Sequence, residues 1–140
     1  MQNSECRNMV MLVLCRRVIA NLLTDAVEKR LNMTAFAEYD YKNVKAAAMT
    51  SKPQIALLEI PERYGTPALD ILSICAEIKS VSSGCKIMLL CPENDKESVN
   101  ACVEAKQQSQ IDDFIFYDTS TDYLISKICA LVGASEHKAV

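Results

Sequence analysis

The sequence predicts a three-layer α/β sandwich: a five-stranded parallel sheet with helices on both faces. Three observations lead there. Five short apolar runs alternate with segments whose apolar residues recur at helical spacing, the pattern of repeated strand–helix–strand units. The first run is continuously apolar, as a strand covered on both faces requires. The chain has 140 residues, 50% hydrophobic and 24% charged, which is globular composition in a length that buries one sizeable core.

The elements follow in order. VMLVLC (Val10–Cys15) is the first strand, and Ile19, Leu22, Leu23, Ala26 and Val27 repeat at helical spacing after it. TAFAEY (Thr34–Tyr39) is a more polar strand and so belongs at a sheet edge. Asp40 is placed to cap a short helix with Val44, Ala47 and Ala48 facing inward. Pro53 sets off the third strand, IALLE (Ile55–Glu59), which ends on a carboxylate before a loop running to Pro67. Ile71, Ile74, Cys75 and Ile78 form the stripe of the third helix, closed by Gly84. KIMLLC (Lys86–Cys91) is the fourth strand, and Pro92 and Asn94 mark the turn after it. Val99, Cys102 and Val103 mark the fourth helix, and DFIFY (Asp113–Tyr117) is the fifth strand. The last helix turns Leu124, Ile128, Leu131 and Val132 inward, with Asp118 or Ser120 as its cap and Gly133 as its stop. Residues 1–9 are read as an extension, 10–133 as the domain, and 134–140 as a flexible tail or the start of a linker.

Composition excludes several function classes. A formal charge of −3 with dispersed Lys and Arg gives no footprint for nucleic acid. No apolar run approaches the ~20 residues of a membrane span. The polar start MQNSECRN lacks a signal pattern, so a cytoplasmic protein is expected. Seven cysteines, an odd number without a CxxC pair, read as small buried hydrophobes in a reducing compartment. A metal site is not expected, because the single histidine, His137, lies in the tail and no ligand spacing recurs. No cofactor is expected either. A flavin or nucleotide needs a small-residue phosphate loop after the first strand; here that loop is CRRV, and none of the three glycines is near it.

Right-handed crossovers leave few topologies for five such units, and the commonest is the flavodoxin-like strand order 2-1-3-4-5. Sites in these sheets form at the carboxyl ends of the strands, near the crevice between the first and third. That rim would hold Cys15 and Arg16 after the first strand, Glu59 after the third, Cys91 after the fourth and Tyr117 after the fifth.

At this level of detail the chain resembles the receiver domain of two-component response regulators. The likeness runs from Val10 to Val132. PQIALLE is similar to the family's third strand, CKIMLLC to its fourth and DDFIFYD to its fifth. The resemblance implies phosphorylation of an aspartate at the end of the third strand. An acid pair after the first strand would hold Mg²⁺, with a hydroxyl after the fourth strand and a lysine after the fifth. Here the acid pair falls on Cys15 and Arg16, the acceptor on Glu59, the hydroxyl on Cys91 and the lysine on Tyr117. A carboxylate attacking a phosphoryl group needs the charge on both partners screened. An arginine in the metal's place repels Mg²⁺, which wants oxygen ligands, so a degenerate receiver is expected, not an enzyme.

Two arrangements remain open for Glu59. Arg16 can approach it as a fixed internal cation in a bidentate pair, or Glu59 can point to solvent beside Arg16 or Arg63. A disulfide between Cys15 and Cys91 is not expected, since two strand spacings of ~4.8 Å separate them. A thiolate activated by Arg16 and Arg17 is a further possibility at Cys15. Glu93, Asp95 and Glu97 read as a solvated helix start.

The resemblance places the interaction face on the fourth helix, fifth strand and fifth helix, at Lys106, Gln107, Asp122, Tyr123 and Lys127. Homodimers form there in the family. The expected function is signalling through a protein partner or an output domain, without Mg-dependent aspartyl phosphorylation. The alternatives are an atypical phosphoacceptor using Glu59 in a phosphorelay, and a small flavodoxin-like ligand-binding protein or enzyme.

Overall fold

The computed structural model describes residues 8–61 and 67–133. Its elements are β1 (Met9–Val13), α1 (Arg17–Arg30), β2 (Thr34–Glu38), a 3₁₀ turn at Tyr41–Asn43, α2 (Val44–Ser51), β3 (Ile55–Glu59), α3 (Pro67–Val81), β4 (Lys86–Cys91), α4 (Lys96–Gln107), β5 (Asp113–Phe116) and α5 (Thr121–Val132). All strand pairs are parallel and the sheet order is β2-β1-β3-β4-β5, as the alternation of elements predicts. Cys6, Arg63, the Glu62–Thr66 stretch and the 134–140 tail lie outside the described residues.

The period of two along each strand divides the interior into two layers. Val10, Leu12, Leu14, Ile55, Leu57, Met88, Leu90 and Ile115 pack beneath α1 and α5. Met11, Val13, Ala56, Leu58, Ile60, Ile87, Leu89 and Cys91 pack beneath α2, α3 and α4. β3 is buried over its whole length because it sits at the centre of the sheet with helices on both sides. This central position brings Glu59, its last residue, to the crevice between β1 and β4.

Local chemistry fixes the element ends. Asp40 caps the 3₁₀ turn by accepting the Lys42 amide, Asp95 accepts the amides of Glu97 and Ser98 at the start of α4, and Ser120 accepts the Tyr123 amide at the start of α5. Ser120, not Asp118, is therefore the cap of the last helix. Gly133 ends α5 with φ of 69°, the left-handed conformation a glycine adopts without strain. α3 stops at Val81, three residues before Gly84.

The inward stripes differ from the expected ones in two helices. In α1 the buried residues are Ala20, Leu23 and Val27, and Leu22 is 52% exposed. In α4 they are Ser98, Cys102 and Ala105, while Val103 is 40% exposed. The reason is shared. Where Ala or Ser supplies the inward position, counting large apolar residues alone rotates the predicted face by part of a turn.

Candidate functional site

β1 ends at Val13, so the chain passes through Leu14, Cys15 and Arg16 before α1 begins at Arg17. This short connection turns the Cys15 backbone and the Arg16 side chain toward the end of β3. The Cys15 amide donates to Glu59 Oε1 at 3.0 Å, and Arg16 Nε donates to Glu59 Oε2 at 2.7 Å. The carboxylate is thus held at both oxygens. Its side chain is only 3% exposed, against 43% for Arg16. The ion pair uses one nitrogen of Arg16 rather than the bidentate fork expected from the sequence, because the backbone amide has taken the second oxygen.

The helix end explains part of this geometry. α1 has no acidic residue in its first turn and no side-chain cap at Arg16. A helix N-terminus favours negative charge, and Glu59 supplies it from the neighbouring strand. Two arginines at this end, Arg16 and Arg17, would otherwise oppose the dipole. Each guanidinium instead lies over an aromatic ring, Arg16 4.5 Å from the Tyr117 centroid and Arg17 3.9 Å from that of Tyr39.

Two tyrosines close the crevice. The Tyr41 hydroxyl donates to the Glu59 carbonyl at 2.7 Å, lies 3.3 Å from the Val13 carbonyl, and is 3.4 Å from Cys15 Sγ. Burial pushes the Tyr41 hydroxyl pKa far up, and the contact with Cys15 adds to the shift, so it stays protonated. The Tyr117 hydroxyl donates to the Ile60 carbonyl, which spans the ends of β5 and β3. At the position implied for a lysine, Tyr117 therefore supplies a ring for Arg16 and a donor for the strand end.

Of the rim residues read from the sequence, Cys15, Arg16, Glu59 and Tyr117 meet at one point. Cys91 does not join them. It lies in register one residue beyond the Glu59–Leu90 pair, and the alternation of the strand turns its thiol into the core beneath α3 and α4. Tyr41 was not among the predicted residues. Its only signal is an aromatic directly after the Asp40 cap, on a connection the topology brings against the carboxyl rim.

The arrangement does not fit Mg²⁺. The ion takes oxygen ligands in near-octahedral order. Glu59 is the single carboxylate at the rim end of β3, and both its oxygens already accept N–H groups. Among the described residues, no group of three His, Cys, Asp or Glu side chains is placed to hold a metal ion. An open groove of about 410 Å³, lined by Phe36, Asn43, Ala46, Ala47, Thr50 and Ser51, lies beside α2 and not in the crevice.

The residues named for the interaction face lie on α4 and α5. Lys106 Nζ and Lys127 Nζ sit 3.0 and 2.5 Å from the two oxygens of Asp113, the first residue of β5. Asp122 meets Arg30 of α1 at 2.6 Å. Tyr123 is 51% exposed and Phe116 37% exposed, and Lys127 lies over the Tyr123 ring. Gln107 is exposed at the end of α4.

No protein-family model matches the sequence, and no curated protein matches it. Solved structures do. A response regulator from Thermotoga maritima superimposes with a TM-score of 0.73 at 17% identity, covering 92% of this chain and all (100%) of that one. A two-component response regulator from Clostridium difficile gives 0.73 at 17%, over 91% of this chain and 97% of the other. A protein named as adenylate cyclase from Rhodopirellula baltica gives 0.77 at 12%, over 91% and 89%. Most of the structural neighbours are response-regulator receiver domains. At these identities the likeness establishes the fold: this chain has the fold of a receiver domain. No helix among the described residues is long and apolar enough to cross a membrane.

Proposed function

We propose that the chain is a signalling module that acts by protein–protein interaction and does not undergo Mg-dependent phosphorylation at the end of β3. One observation carries this reading: the acceptor-equivalent Glu59 has both oxygens engaged, one by Arg16 and one by the Cys15 amide. Phosphoryl transfer requires a free carboxylate oxygen in line with the donor, and cations that screen both partners. Here the internal cation neutralises the carboxylate and stands where a metal would be. The crevice is held in one state, with Tyr41 and Tyr117 tying β1, β3 and β5 together at the rim.

The output surface in this reading is α4–β5–α5. Val103, Phe116 and Tyr123 expose apolar area there, with Lys106, Gln107 and Lys127 around them. A second copy, an output domain or a separate partner would dock on this face, an isologous pair being the simplest closed assembly. The six free cysteines among the described residues suit a reducing compartment such as the cytoplasm.

Mg²⁺ titration followed by ¹H–¹⁵N NMR, beside sedimentation over a concentration series, tests both halves. The Cys15 amide resonance is expected to stay in place as Mg²⁺ is added. The weight-average mass is expected to rise with concentration in the native chain and to fall back in Phe116→Asp. A saturable shift at Cys15 refutes the closed crevice. A mass that rises with concentration equally in Phe116→Asp refutes the assigned face.

A further inference from the structure

The two edges of the sheet are built differently. β5 is guarded by charge, since its first residue, Asp113, is held by both Lys106 and Lys127. β2, at the opposite edge, reads TAFAE and carries no proline or lysine. Native edge strands are commonly blunted by such residues, by bulges or by a cover, because their outward backbone groups invite pairing. The one charge on β2 is folded back on its own loop. Glu38 Oε2 accepts the Asp40 amide at 3.0 Å, and Oε1 accepts Asn43 Nδ2 at 2.9 Å.

The register shows which groups face outward. The Thr34 amide donates to the Asn8 carbonyl at 2.9 Å, and β2 pairs with β1 without a bulge from Thr34 to Glu38. Backbone groups alternate in direction along a strand. Thr34, Phe36 and Glu38 therefore bond toward β1, and Ala35 and Ala37 point their N–H and C=O groups off the sheet. Beneath this edge lies the open groove of about 410 Å³ between Phe36 and α2. Phe36 stands beside Met11 on that face, and α2 rests on β1 and α3.

We propose that β2 is the pairing edge for a second copy of this chain, the two strands running antiparallel about a two-fold axis at Phe36. Register, space and charge choose this occupant. With the axis at Phe36, Ala35 of each copy stands opposite Ala37 of the other, so their outward groups meet in hydrogen-bonded pairs. Phe36 then faces the partner's Phe36 in the closer kind of pair, ~4.5 Å between Cα atoms, on the side where both grooves are open. The β1 strands of the two copies would stand three strand spacings apart, ~14 Å. Helices pack at about 8–10 Å, so the two α2 helices leave room between them for the rings. The start of β2 is flanked by Lys29 and Arg30 at the end of α1 and by Lys52 after α2, and its finish by Glu38 and Asp40. Antiparallel pairing lays the basic end of each copy beside the acidic end of the other. β2 and β5 are opposite edges, so this contact leaves the α4–β5–α5 face free and does not rest on the role given to that face.

The test is amide hydrogen exchange of the full chain at micromolar and at millimolar concentration, in the native protein and in Phe116→Asp. The Ala35 and Ala37 amides are expected to slow about tenfold or more at the higher concentration, in both chains alike. By sedimentation, Phe116→Asp is expected to reach the mass of a dimer, and adding Ala37→Pro, which removes an outward donor from an edge position that tolerates proline, to return it to one chain. Ala35 and Ala37 amides that exchange equally fast at both concentrations overturn the second copy as occupant and leave the edge to a strand of another protein. A dimer of Phe116→Asp that Ala37→Pro leaves intact overturns it too. The native exchange measurement decides the matter even where a variant fails to fold.

Discussion

At the scale of single residues, the Arg16–Glu59 pair is unequal, and its two halves respond differently to removal. Glu59 is almost wholly buried while Arg16 is nearly half exposed. Arg16→Ala leaves a buried carboxylate with one amide and no counter-charge, and is expected to cost about 2 kcal/mol. Glu59→Ala lets Arg16 turn to water and is expected to cost about 1 kcal/mol. Urea denaturation of both variants and the double variant measures the coupling, expected at about 1 kcal/mol or more. A cost for Arg16→Ala no larger than for Glu59→Ala contradicts the assigned burial. Tyr41→Phe removes the bond to the Glu59 carbonyl and is expected to lower stability by about 1 kcal/mol in the same assay. That Arg16 and Glu59 stand close was legible, because the topology places their strand ends side by side, but the sequence left open whether Glu59 pairs with Arg16 or points to solvent. Tyr41 was not legible, since its contacts are with residues 18 and more positions away in the chain. The second acceptor oxygen was equally hidden. Sequence reading pairs side chains with side chains, and it was a backbone amide that displaced the bidentate fork.

At the scale of elements, Asp113 holds α4, β5 and α5 together through Lys106 and Lys127. Burial raises its carboxyl pKa, but the hydrogen bonds from Lys127 and Lys106 outweigh that, and the net value lies below the ordinary one. A folded-state pKa below the unfolded one contributes stability that is present above the unfolded value of ~3.9 and lost as pH falls through the folded value. Asp113→Asn is therefore expected to cost about 1–2 kcal/mol near neutral pH. The difference from the native chain should hold steady down to about pH 5 and shrink below about pH 4. Thermal unfolding across that range checks it; a difference that grows on acidification contradicts the sign. Lys127 is raised chiefly by its bond to Asp113, so its share persists through neutral pH and is lost only in strong base. The existence and order of these elements were legible from apolar spacing. The inward faces of α1 and α4 were less so, because Ala20, Ser98 and Ala105 carry buried positions without advertising them. The network at Asp113 left no sequence signal. Its three members stand 7 and 14 residues apart and meet only because α4 and α5 flank β5.

For the whole molecule, alternation of strand and helix with right-handed crossovers was enough to give the sheet order, because few topologies satisfy both. What the order cannot supply is chemistry, since one fold carries many functions. In the crevice a backbone amide and an arginine engage the two oxygens of the Glu59 carboxylate, which under the proposal leaves it unable to attack a phosphoryl group. Intact mass after incubation with acetyl phosphate and Mg²⁺, run beside Glu59→Asp, tests that directly. The native chain is expected to keep its mass unchanged. So is Glu59→Asp, on the proposal that Arg16 stands where a metal would bind. A native chain that gains one phosphoryl group, and loses that gain in Glu59→Gln, contradicts the account.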